Sequence, residues 1–234
     1  MLLCLPVLCA YSVFLLGFWL ARDDLHLSLS WDVAMAAGCG AFFFLLMLFT
    51  LTGRPLPLPF FDGKFFLSLH RWIAALFIGC LTFHIGLIIF TDPQTLYDLW
   101  PSGAIAMQTG AVAAVLAVVT GGLAFRRVWR RFYATSGIFR ISHAMLAVAV
   151  LAGSAVHLVG TQVHLVQSWQ RELCVGVAVT AALLPSAERW LLARSAVHPG
   201  RKRRRDMSPM AAVLAGIMLC MIVSETAAFL FWRR

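Results

Sequence analysis

Residues 65–90 read FFLSLHRWIAALFIGCLTFHIGLIIF, an apolar run broken by His70, Arg71 and His84 and a few small polar residues. At 1.5 Å rise per residue, a helix of this length outreaches the ~30 Å hydrocarbon core of a bilayer. The stretch therefore predicts a membrane-crossing helix. Ionisable side chains inside such a helix are expensive and usually functional. His70 and His84 thus say what the helix is for as well as where it lies.

Outward from this segment, six more apolar blocks are long enough, or nearly so, to cross a bilayer: 1–21, 33–52, 104–125, 139–163, 172–193 and 209–232. The first has no basic residue ahead of it and no small-residue cleavage pattern, so it reads as a retained helix, not a signal peptide. The sixth in chain order is interrupted by Pro185, Glu188 and Arg189, and without it the count falls to six. Composition agrees: 61% of residues are hydrophobic and 12% charged, against about 45–50% and about 25% in soluble domains. The mean hydropathy is +0.86. The expected fold is all-α, a single polytopic membrane helical bundle of six to seven transmembrane helices over residues 1–234. A disordered chain, a disulfide scaffold and a soluble nucleic-acid-binding domain are excluded. All six cysteines lie inside apolar blocks, and neither CxxC nor CxxCH occurs. Zinc-ribbon, thioredoxin-like and covalent haem motifs are therefore absent from the sequence.

The net charge of +9 serves orientation. The loop after 1–21 sets Arg22 against Asp23, Asp24 and Asp32, whereas the next loop region carries Arg54, Lys64 and Arg71. The segment 91–103 has Asp92 and Asp98 and no basic residue. Residues 126–140 hold Arg126, Arg127, Arg130, Arg131 and Arg140, and 164–171 holds one Arg. Arg194 and the run 201–205 follow the sixth block. By the positive-inside bias these loops alternate, with the N-terminus cytoplasmic. Seven spans would leave the C-terminus outside, with Arg233 and Arg234 on the unfavoured side. The basic run 201–205 reads as a topology determinant before it reads as a nucleic-acid or anionic-lipid site. The setting expected from these features is integral to a membrane.

His143 and His157 repeat the spacing of His70 and His84 in the block 139–163. Fourteen residues is just under four helical turns, so each pair shares one face with its members about 21 Å apart. Chance alone would give about 0.2 such pairs in this sequence. The charge pattern makes the two helices parallel, which sets His70 level with His143 near the inner side and His84 level with His157 near the outer side. Two facing imidazoles at two depths suit two non-covalent bis-His haems, which move electrons because no iron position is left open. A single such histidine would read as a packing residue. Gly79 and Gly153 lie between the histidines of their helices, where they would let a macrocycle approach or simply serve helix packing.

The segments Leu69-His70-Arg71-Trp72 on to His84, and Phe139-Arg140-Ile141-Ser142-His143 on to His157, resemble the ferric reductase-like transmembrane domain. That family includes ferric reductases, NADPH oxidases and the haem subunit of periplasmic methionine sulfoxide reductase. The resemblance covers about residues 40–195. It implies two b haems, ligated by His70 with His143 and by His84 with His157. It further implies electron transfer from a cytoplasmic flavin, flavoprotein or quinol to an acceptor on the outer face. Unlike the reductases with a fused flavin and nicotinamide domain, residues 1–234 contain no GxGxxG after a strand-like stretch. The expected donor is accordingly a separate cytoplasmic flavoprotein reductase or a membrane quinol, and the expected partner outside is a periplasmic or extracellular acceptor. The chain would be an electron-transfer subunit of an oxidoreductase, with no catalytic side chain of its own assigned.

Arg71 and Arg140 adjoin the inner histidines, placed to hold inner haem propionates or to snorkel toward the inner surface. His164, seven residues past His157, is a candidate for an outer propionate, for a metal or acceptor at the outer mouth, or for the interface. Glu225 would relay protons, line a quinol pocket or join a hydrogen-bonded patch with Ser224 and Thr226. His26 and His198 carry no signal. Two further readings stand beside the first: a quinol-oxidising haem subunit of a periplasmic oxidoreductase, and a haem-free membrane transporter or anchor. Beyond the parallel histidine helices, no wider likeness joins the two halves.

Overall fold

The computed structural model describes residues 28–51, 63–133, 135–163, 165–193 and 208–232, and every regular element among them is helical. In chain order these are α1 (Leu29–Thr50), α2 (Gly63–Thr91), a short 3-10 segment (Pro93–Leu99), α3 (Ile105–Leu123), α4 (Arg126–Phe132), α5 (Ser136–Thr161), α6 (Ser168–Ala193) and α7 (Ser208–Trp232). The all-α membrane bundle expected from the sequence is what forms. α1, α2, α3 and α5 are each long and apolar enough to cross a membrane. α6 and α7 match the blocks at 172–193 and 209–232, with Arg171 and Glu172 in the first turns of α6. The block 1–21, with His26, lies outside the described residues, as do His198 and the basic run 201–205.

Local chemistry sets the helix ends. The Ser28 side chain accepts from the Trp31 backbone N–H at 3.3 Å, and Thr135 does the same for Ile138 at 3.3 Å. Each hydroxyl satisfies one of the donors that the first turn of a helix leaves unpaired. Asp92 caps the 3-10 segment through Gln94 at 3.1 Å, with Pro93 following at the position where a missing N–H does no harm. α5 stops at Gln162, whose φ of 52° is left-handed.

The buried centre belongs to α1. Residues Cys39 to Met47 are buried without interruption, the pattern of a helix apolar on every side. α1 packs along α2 and α6, while α3 packs along α5, α6 also touches α5, and α7 lies against α2. α2 and α5 have scarcely any backbone contact with each other. Two antiparallel pairs, α1 with α2 and α3 with α5, thus present their second helices to one another across a gap. Large apolar side chains such as Phe90, Ile105, Val115, Val118 and Met145 are exposed on the outside. Water would not tolerate so much apolar surface, whereas lipid tails do.

The α3–α5 seam is made of small residues. Ala106, Ala113 and Ala117 are buried along one face of α3. A Cβ added to Gly160 would stand 2.7 Å from the Ala106 Cβ, and one added to Gly153 would stand 3.0 Å from the Ala113 Cβ. Gly153 therefore serves close helix packing, not the approach of a macrocycle. Gly79 has no such packing neighbour: a Cβ there meets nothing within 4 Å, and nine residues place it on the opposite side of α2 from His70. Gly160→Val should spread α3 from α5 and destabilise the bundle by about 1–3 kcal/mol. Thermal melting in detergent checks this, with Gly79→Ala expected to melt like the parent.

Candidate functional site

The histidines of α2 and α5 meet across the gap between the two helix pairs. The ring centroids of His70 and His143 are 6.3 Å apart, with 59° between their planes. His84 and His157 lie within electrostatic range of each other. Proximity at both levels requires α2 and α5 to run parallel, as the loop charges predict. His70 and His143 sit toward the end that carries Lys64, Arg130, Arg131 and Arg140, called here the arginine end. His84 and His157 sit toward the opposite end. Phe77 and Val150, each seven residues from both histidines of its helix, are buried in the layer between.

The two levels differ in how the rings are held. At the opposite end, Nδ1 of His84 is 2.7 Å from the Ala34 carbonyl oxygen on α1. Nδ1 of His157 is 2.9 Å from the Ala106 carbonyl oxygen on α3. A carbonyl only accepts, so Nδ1 must be the protonated nitrogen in both rings, and Nε2 keeps its lone pair. Such a bond is the usual companion of a metal-ligating imidazole, since it fixes the tautomer and the ring and strengthens the other nitrogen as a ligand. At the arginine end, Nδ1 of His143 is buried with no partner among the described residues. That ring instead lies tilted against Phe139, with centroids 5.5 Å apart, and Phe139 in turn meets Tyr133 edge-on at 5.6 Å.

These rings fit a haem iron better than a bare ion. An imidazole nitrogen ligates a transition metal at about 2.0–2.1 Å and lies about 1.1 Å from its ring centre, so two rings on opposite sides of one metal stand about 6.3 Å apart. The spacing of His70 and His143 matches this. Among the described residues, no group of three or more His, Cys, Asp or Glu side chains converges on one point. Two imidazoles alone do not close a metal site of four or more ligands; a macrocycle would supply the remainder.

The other sequence candidates fall less centrally. Arg71 and Arg140 are exposed near the arginine end, with Arg71 in electrostatic range of His70. His164 lies outside the described residues, as does the side chain of Glu225. Cys39 and Cys174 are buried in the core, as small apolar groups would be. Sequence reasoning missed Ala34 and Ala106, which act through backbone atoms that every residue possesses. It also missed Trp31 and Thr91, whose buried Nε1 and Oγ1 have no partner among the described residues. Thr91 follows His84 by seven residues, as His164 follows His157. That shared interval was the available signal.

Residues 37–154, just over half of the chain, match the family described as ferric reductase like transmembrane component. The chain belongs to that family, and its role is membrane electron transfer. The match takes in His70, His84 and His143 and ends three residues before His157. No curated protein and no solved structure matches the chain.

Nitrogen-15 histidine spectra should report the Nδ1–H tautomer for both His84 and His157. An Nε2–H signal from either ring would be incompatible with its carbonyl bond.

Proposed function

We propose that this protein is a transmembrane di-haem cytochrome b that carries single electrons from a cytoplasmic donor to an acceptor on the outer face. The observation that carries the reading is the meeting of four intramembrane imidazoles as two facing pairs, one of them at the spacing that spans a single iron. In this reading the arginine end is cytoplasmic, by the positive-inside bias. His70 and His143 hold the inner haem, and His84 and His157 the outer one. When bound, each haem supplies a one-electron couple whose iron has no open position for oxygen.

The chain's own residues do the rest. The carbonyls of Ala34 and Ala106 orient the outer ligand rings before any electron arrives. Phe77 and Val150 keep the layer between the two levels dry, which shields the transfer from side reactions with water. Arg71 and Arg140 stand where guanidinium groups hold inner propionates. Trp31, Thr91 and His164 are donors of the kind that outer propionates accept from. Electrons enter from a separate flavoprotein reductase or from a membrane quinol and leave to a periplasmic or extracellular acceptor. The setting is a bacterial inner membrane.

The purified protein should carry about two low-spin b haems per chain. His70→Ala or His143→Ala should remove one, and His84→Ala or His157→Ala the other. A folded, colourless protein defeats the proposal. Reduction of the haems by quinol alone selects the quinol as donor, whereas a requirement for added flavoprotein selects the reductase. Replacing Arg71 and Arg140 together with Gln takes positive charge from beside the inner iron, which stabilises its ferric form. Redox titration should show the inner midpoint lowered and the outer one unmoved.

A further inference from the structure

Gly38 on α1 and Gly110 on α3 occupy the same place in different helix pairs. A Cβ added to Gly38 would lie 2.8 Å from Nδ1 and 2.9 Å from Cε1 of His84. A Cβ added to Gly110 would lie 2.5 Å from Nδ1 and 2.7 Å from Cγ of His157. Both glycines come four residues after the alanine whose carbonyl accepts the ring, Ala34 in one case and Ala106 in the other.

That four-residue interval has a physical reason. In an α-helix the carbonyl of residue i already takes the N–H of residue i+4. A second donor must therefore approach the oxygen beside the backbone of residue i+4, where that residue's side chain begins. Only glycine leaves the space open to a ring. The packing glycines differ in kind, since Gly153 and Gly160 are confronted by alanine side chains on α3 and not by a histidine.

We infer that Gly38 and Gly110 are positioning residues for His84 and His157: each forms a socket in which the ring seats against a helix backbone and gives its Nδ1 proton to the carbonyl one turn back. The inference rests on the di-haem reading above and deepens it. The outer level is built with a socket on each side, whereas Nδ1 of His143 has no partner among the described residues. The socket bonds make the outer imidazoles stronger donors to iron, favouring its ferric form, so their loss raises the outer midpoint.

The test compares haem content, low-spin electron paramagnetic resonance and midpoint potentials in the full-length parent, Gly38→Ala, Gly110→Ala and Gly79→Ala. Each socket variant should lower the affinity for the outer haem about 10- to 100-fold, or keep that haem at a raised midpoint, with the inner haem unchanged. Gly79→Ala should match the parent, because its added methyl meets nothing. Socket variants that keep both haems with unaltered spectra and midpoints overturn the inference while leaving the di-haem reading intact. A parent without haem defeats that reading, and this inference with it. If Gly38→Ala does not fold, the double variant Gly38→Ala, His84→Ala removes the ring that the methyl would strike. It should fold with the inner haem alone, and its failure to fold would overturn the socket.

Discussion

Four imidazoles in an apolar interior must each find a use for a polar hydrogen and a lone pair, and this constraint shapes the bundle around them. Hydrocarbon offers no partner, so an unsatisfied group there is expensive. At one level the requirement is met by backbone oxygens on α1 and α3. α1 must then run close beside α2, and α3 close beside α5. Small residues along the α3–α5 seam follow from that closeness. α2 and α5 face each other without packing together, because the space between them belongs to the rings.

Much of this was legible in the sequence. The fourteen-residue spacing put two histidines on one helix face, and the alternation of loop charges made the two helices parallel. Both statements agree with His70 standing beside His143 and His84 near His157. What could not be read were the partners of the rings. A carbonyl oxygen is common to all residues, and Ala34 or Gly38 in an apolar helix looks like any other small residue. Gly153 lies about 80° around the helix from His143, and only the position of α3 reveals which neighbour it serves. Pro185, Glu188 and Arg189 blurred the number of crossings, since they interrupt the apolar run of the sixth block without ending its helix.

The two helix pairs share more than sequence comparison of the halves suggested. Ala34, Gly38 and His84 in one correspond to Ala106, Gly110 and His157 in the other. The alanines and glycines are offset by 72 residues and the histidines by 73. Likeness of so few positions disappears among apolar residues that interchange freely. Geometry makes it visible because the same bond is formed twice by the same construction.

Each of those bonds closes within its own helix pair, α1 with α2 or α3 with α5, and this bears on how the protein is made. A chain entering the membrane in order completes the first pair before α3 emerges. Its ring is then already turned and its tautomer chosen. The second pair repeats the step, so the two halves meet with their ligands preset. In the proposed di-haem reading, cofactor capture would be the last event of assembly and would require only that two finished hairpins come together.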